Sequence, residues 1–191
     1  MFEPLVFHIS QLLNCHHTLY SGQCKAEYWE ELCSKALIKA GFGSDWKPDF
    51  NHGVGTDQVT DDNIRISNKG GKLKDGVLTI SSSRLTKHKT LADKVAFISQ
   101  GHDDYIFCLA TDKDWDWHKP VYYFIVIDSR TLTYDKGAWE ETIGRKGQLS
   151  GWKTTADLGF AARIVRSCSD QLWIDIDQNL FSEFHTIELR P

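Results

Sequence analysis

The sequence predicts an α/β domain, a mixed central β-sheet flanked by helices, and three observations carry that expectation. A stretch with helical spacing of apolar residues precedes a series of β-prone segments, a second and shorter helical stretch interrupts them, and two apolar runs of strand length follow. Helix and strand signals interleave along 191 residues without internal repeat, low-complexity tract or Pro/Ser-rich linker, which fits one domain spanning 1–191.

Residues 24–40, CKAEYWEELCSKALIKA, place Trp29, Leu32, Cys33, Ala36, Leu37 and Ala40 along one helix face, and Gly41 closes the helix. KPDF (47–50) reads as a short strand before the turn-rich NHGVGTD. NIRISNK and GVLTISSSRL are β-prone, and GGKLKDG between them reads as a hairpin loop because of its glycines and its Asp-Gly pair. TLADKVAFISQ predicts a short helix with Thr90 as N-cap and Leu91, Val95 and Ile98 on one face. YIFCLAT and VYYFIVID have the length and continuous apolarity of buried central strands, and DKDWDWHKP between them reads as a loop whose Trp115 and Trp117 are candidate interface anchors. Residues 139–170 give no clear element beyond the Gly- and Lys-rich loop GRKGQLSGWKT, and QLWIDI closes the chain with a strand. The expected order is helix, strand, strand, strand, helix, strand, strand.

Composition narrows the function classes. The apolar fraction of 41% and charged fraction of 25% are those of a globular chain, against disorder, collagen and coiled coil. Five cysteines form no C-x-x-C pair, which argues against a disulfide framework or zinc knuckle and for reduced thiols in the cytoplasm. The start MFEPLVFHISQLLNCHH lacks a basic leader region and a small-residue cleavage site, and no apolar run is long enough to span a bilayer, so a soluble cytoplasmic protein is expected. A net charge of −4 gives no global attraction to nucleic acid. The charges are unevenly distributed, however: residues 65–94 hold Arg65, Lys69, Lys72, Lys74, Arg84, Lys87, Lys89 and Lys94 against Asp75 and Asp93, which suggests a basic face beside an acidic pocket.

The chemistry concentrates in GTDQVTDDNIRISNKGG. Alternation along a strand puts Arg65, Ser67 and Lys69 on one face and Ile64, Ile66 and Asn68 on the other. If the isoleucines face a core, Ser67 and Lys69 look together into the opposite side, behind a cluster of carboxylates. A lysine placed there can orient an attacking water, and upstream aspartates can bind Mg²⁺. The simpler reading is a half-exposed strand with solubilising Arg65 and Lys69 and a plain Asp61-Asp62-Asn63 turn. No G-x-S-x-G elbow, P-loop or H-E-x-x-H spacing offers another chemistry; the histidines are read as surface or core residues, with His52 and His88 kept in view because they flank the site.

The helix AEYWEELCSKALIKAG, the segment GTDQVTDDNIRISNKGG, the strand VLTISSSR and the later DYIFCLATD resemble, in order and spacing, the core of PD-(D/E)XK restriction endonuclease-like nucleases. The resemblance covers roughly residues 24–127. It implies a restriction endonuclease-like fold and Mg²⁺-dependent hydrolysis of double-stranded DNA of the type II restriction kind. It also implies Asp57, with Asp62 or Asp49, as metal ligands, Lys69 orienting the nucleophilic water, and Ser67 as a hydrogen-bonding position beside it. A homodimer on a palindromic site and a companion DNA methyltransferase would accompany such an enzyme. The departure is Ser67, where the family pattern has an acid. Either a carboxylate arrives from elsewhere (Asp93, Asp62 or Glu31), or Asp57 and Asp62 carry the metal alone, or the site is inactive and the domain only binds DNA or another partner. For recognition the strand after the lysine offers Ser81, Ser83 and Arg84, with Arg84 the leading candidate for guanine readout. Lys87 continues that basic run, and the later loop offers Arg145, Lys146 and Lys153 to phosphates and Trp152 to stacking.

Overall fold

The computed structural model describes residues 1–47, 56–155 and 158–189. Its helices are α1 (Glu3–Leu19), α2 (Ala26–Lys39) and α3 (Leu91–Ile98). Its strands are β1 (Gln58–Val59), β2 (Arg65–Lys74), β3 (Val77–Arg84), β4 (Tyr105–Thr111), β5 (Val121–Asp128), β6 (Trp139–Ile143), β7 (Leu149–Thr154), β8 (Phe160–Val165), β9 (Gln171–Asp177) and β10 (Phe181–Glu188). They form one sheet in the order β10-β5-β4-β2-β3-β9-β8-β7-β6, with β1 paired to β2 beside that path. The β2–β4 pair is parallel and every other pair antiparallel. A parallel pair needs a long crossover, supplied here by β3 and α3. The mixed sheet with flanking helices is therefore as expected.

Two cores lie on the two faces. Helices α1 and α2 bury Leu5, Ile9, Leu13, Trp29, Cys33 and Leu37 against Ile66, Phe107, Phe124 and Val126. The other face buries Ile80, Cys108, Ile125, Phe160, Ile164 and Ile174. The sheet curls around this second core, so that Tyr134, beyond β5, meets the ring of Phe160 in β8 at 5.4 Å. Helix α1 has no counterpart among the sequence expectations, although Leu5, Ile9 and Leu13 repeat every four residues and Pro4 sits in the first turn, where its missing N–H is harmless. Helix α3 begins where expected, with Thr90 and Asp93 closing a reciprocal capping box.

Two expectations are corrected. GGKLKDG is mostly strand: β2 runs through both glycines to Lys74, and the turn shrinks to Asp75-Gly76, whose φ angles of 50° and 78° make the two-residue turn that right-twisted hairpins favour. A Cβ on Gly71 would sit 2.7 Å from Leu78 and 2.8 Å from Cys108, so the second glycine is required for β2 to lie against its neighbours' side chains. GRKGQLSGWKT is no loop but the turn and second strand of the β6–β7 hairpin, and 139–170 holds three strands where none was expected. KPDF lies, from Pro48 on, outside the described residues.

The basic run at 65–94 does not form one face. Arg65 pairs with Asp104 at 3.1 Å, Lys72 donates to Thr111 Oγ1 at 2.7 Å, and Lys94 is buried, donating to Leu85 O at 3.1 Å and paired with Asp170 at 3.2 Å. These lysines and the arginine reach neighbours on β4, the β3–α3 segment and the loop before β9, which alternation along β2 alone does not reveal. No helix among the described residues is long and apolar enough to cross a membrane.

Candidate functional site

The site occupies a notch in the sheet. One edge of β2 pairs with β4 from Ile66 to Lys72; its other edge pairs with β1 at Arg65–Ile66 and with β3 only from Gly71. Between β1 and β3 the ladder is interrupted, and the side chain of Asp57, entering just before β1, fills the gap. Its backbone N–H donates to Ile66 O at 3.0 Å. Its Oδ2 accepts from Asn68 N at 2.6 Å, from Ser67 Oγ at 3.2 Å and from Lys69 Nζ at 3.2 Å. The carboxylate thus does for one buried amide what a neighbouring strand would do.

Alternation has the anticipated consequence. Ile66 points into the α1/α2 core, while Ser67, which is buried, and Lys69, with 21% of its side chain exposed, meet Asp57 on the other face. Asp57, Ser67 and Lys69, named from the sequence as one site, are in direct contact. The lysine keeps one accessible side, which a group acting on an external phosphate needs.

A second carboxylate joins them from an unexpected place. Asp103, in the segment leading into β4, is brought beside the notch by the parallel pairing that sets Tyr105 opposite Ile66. Thr56, next to Asp57, ties the two segments by donating to His102 O at 3.0 Å. Burial pushes the Asp103 carboxyl up from its ordinary value; the Thr56 hydroxyl and the Lys69 ammonium pull the other way, and the Asp57 charge adds to the rise. Each of these groups therefore acts on Asp103. Its Oδ1 is enclosed without a hydrogen-bond partner among the described residues.

The carboxylates named to replace an acid at Ser67 are placed elsewhere. Asp62 lies on the exposed turn between β1 and β2, at the far end of that hairpin from Asp57. Asp93 caps α3, and Glu31 pairs with Lys35 on the outside of α2. Asp49 and His52 lie outside the described residues. The ring of His88 lies tilted against that of Phe97 at 4.4 Å. The only sequence sign of Asp103 was an Asp-Asp pair preceding an apolar strand; that this strand lies parallel to β2 is a tertiary fact.

The residues named for DNA contact are dispersed. Arg84 is exposed at the end of β3, a register shift in the β3–β9 pairing runs from Ser81 to Arg84 with Ser83 inside it, and Lys87 is exposed just beyond. Lys146 is exposed on the β6–β7 turn, but Lys153 pairs with Glu140 at 2.8 Å and Trp152 packs on the second core. Trp117 is 55% exposed, and Trp115 packs beside Tyr122.

Mg²⁺ is held by oxygen, through one or two carboxylates with waters completing its octahedron. Asp57 and Asp103 are the two carboxylates at the notch, and Asp103 Oδ1 is enclosed without a hydrogen-bond partner among the described residues. No group of three or more His, Cys, Asp or Glu that could hold a metal ion converges among the described residues. Comparison with known protein families and with characterised proteins gave no match to this chain.

Proposed function

We propose that this chain is a Mg²⁺-dependent endonuclease that hydrolyses phosphodiester bonds in double-stranded DNA, in the manner of a type II restriction enzyme on a restriction endonuclease-like fold. The observation that carries the reading is the convergence of Asp57, Ser67 and Lys69 in the β2 notch, to which Thr56 ties the Asp103 segment by donating to His102 O. Asp57 and Asp103 would hold the ion, which when bound supplies Lewis acidity to the phosphoryl group and a water of lowered pKa. The partly exposed ammonium of Lys69 orients the attacking water and offsets negative charge gathering on the phosphate oxygens. Ser67 positions the Asp57 carboxylate by donating to it from a buried site. Asp103 takes the place that Ser67 leaves without an acid. Arg84, Ser83 and Lys87, at the end of β3 and beyond it, are the nearest proposed contacts to DNA. A homodimer would match a palindromic site, and a methyltransferase protecting the host would accompany a restriction activity.

A second reading is favoured by the saturation of Asp57 Oδ2, which already accepts three hydrogen bonds. On that view the trio is a structural clasp and the domain binds DNA without cutting it. One experiment separates them: mixed-sequence supercoiled plasmid incubated with the protein and Mg²⁺, beside a Lys69→Ala control. Discrete fragments that disappear in the control support the nuclease. Shifted but intact plasmid under every divalent ion tried leaves only the binding domain.

A further inference from the structure

The sheet ends on one side at β10, and no other described strand pairs with its outer edge. Natural sheets blunt such edges, because a row of free N–H and C=O groups is a template for another strand. The opposite edge, β6, is blunted in three ways: it is five residues long, it carries the exposed Glu140 and Glu141, and its register slips after Thr142. β10 has eight residues without proline or lysine, and from Glu183 to Glu188 it runs in unbroken register with β5.

One hydrogen bond fixes the direction of each backbone group. Leu189 N donates to Pro120 O at 3.0 Å, and hydrogen-bonded pairs alternate along an antiparallel ladder. Ile187, His185 and Glu183 therefore turn their N–H and C=O groups to β5, and Phe184, Thr186 and Glu188 turn theirs outward. The side chains of these three outward residues are exposed as well, and Phe184 keeps 47% of its surface in solvent. Its ring belongs to a ladder of three, with Tyr123 stacked at 5.6 Å and Phe181 at 6.1 Å. Exposed rings beside unpaired amides suit the addition of another strand, the backbone giving affinity and the side chains register.

We propose that β10 pairs antiparallel with β10 of a second copy of this chain, about a two-fold axis at Phe184, so that the two sheets become one. A two-fold interface requires a patch complementary to itself, and FSEFHTIE is so about that axis. Phe184 faces the partner subunit's Phe184, Glu183 faces the partner subunit's His185, and Ser182 faces the partner subunit's Thr186. These are aromatic, acid–base and hydroxyl pairs, three kinds that stabilise adjoining strands. The axis falls on outward-turned groups, so the Phe184 N–H and C=O of each copy meet those of the other. An axis at His185 would set two imidazoles against each other, and one at Thr186 would set Phe184 against a carboxylate. His185 already lies 3.2 Å from its own Glu183, so the pairing alternates two acids with two imidazoles. A single strand pair is at the small end of specific interfaces, and the dimer should dissociate at micromolar concentration. The inference stands whether or not the notch cuts DNA, and it supplies the two-fold symmetry that a palindromic site would need.

The test is sedimentation velocity of the full chain from ~1 to ~200 µM, without DNA or divalent ion, so that its outcome is separate from that of the cleavage assay. Wild type should pass from monomer to dimer across that range. Thr186→Pro removes an outward N–H and no bond to β5, so it should raise the dissociation constant at least tenfold; should it not fold, Phe184→Lys, which puts a charge at the axis, is read in its place. Register is read by oxidation in a Cys15→Ser, Cys168→Ser background, which clears the exposed thiols. Phe184→Cys brings two Cα atoms to about 5.5 Å, within disulfide reach, whereas Ser182→Cys leaves them more than ~10 Å apart. The first should cross-link at least tenfold faster. A dimer untouched by the folded variant, or equal cross-linking at 182 and 184, overturns the inference. A monomer at every concentration also overturns it and leaves the edge to a strand of another protein.

Discussion

Replacing Asp57 by alanine and, separately, by asparagine divides what its carboxylate does for the fold from what it offers a cation. Alanine strands the amide of Asn68, a residue only 2% exposed, at a loss of about 1–3 kcal/mol for an unpartnered buried donor. It also removes the acceptor for Ser67 and Lys69, worth roughly 0.5–1 kcal/mol each because both donors sit near partly solvated atoms. Asp57→Ala should therefore destabilise by about 2–5 kcal/mol, a fall in Tm of roughly 4–20 °C for a chain of this size. Asp57→Asn keeps an acceptor for the amide and should lose only about 1 kcal/mol. In the wild type, ~10 mM Mg²⁺ binding with a Kd of about 1 mM would add ~1.4 kcal/mol by linkage, an increment that Asp57→Asn should lose. The assay is urea unfolding of the three proteins in EDTA and in Mg²⁺. Asp57→Ala within about 0.5 kcal/mol of wild type would refute the account of the notch, and an equal Mg²⁺ increment in wild type and Asp57→Asn would place the ion elsewhere.

Two further outcomes are expected. Lys94→Met should destabilise by about 2–4 kcal/mol, since it leaves Leu85 O and the largely buried Asp170 carboxylate without their donor; unfolding within about 0.5 kcal/mol of wild type would show that the ammonium contributes nothing. Burial, then the charge of His17, lowers the pKa of His16 below its ordinary 6.5, and burial also lowers that of His17. The folded state then binds protons less readily than the unfolded chain, so the associated stability is present above pH 6.5 and is lost as pH falls through the lowered folded values. Asp103, raised by burial, works in the opposite sense: its contribution is present below the ordinary carboxyl value of 3.8 and lost as pH rises through the folded value. Unfolding free energy should fall between pH 7.5 and pH 5, and His16→Gln should flatten that fall; a wild-type stability that does not change, or an equally steep fall in His16→Gln, would contradict it.

Local signals were legible in the sequence where local physics decides. The period of Trp29, Cys33 and Leu37 gave α2, Thr90 its cap on α3, and the period of two along β2 set Ser67 and Lys69 on one face with Asp57 at reach. The rest depends on which strands become neighbours. Asp103 belongs to the site only because β4 lies parallel to β2, and Lys94 is a core residue only because Asp170, far along the chain, turns back to meet it. Nor could composition distinguish a lysine-rich loop from the β6–β7 hairpin, whose half-exposed strands carry weak alternation. The carboxylates chosen by sequence proximity, Asp62 and Asp93, were spent on a turn and a helix cap, the local tasks to which aspartate is suited.

The notch also has a kinetic meaning. The amide of Asn68 is held by a side chain and not by an adjoining strand, whereas the amides of its neighbours on β2 are locked into the parallel ladder with β4. Those neighbours exchange with solvent only through rare openings of the sheet. A rotation of the Asp57 side chain away from β2 frees the Asn68 amide alone. Hydrogen exchange at that single position is thus a clock for the state of the site, readable before any ligand is known.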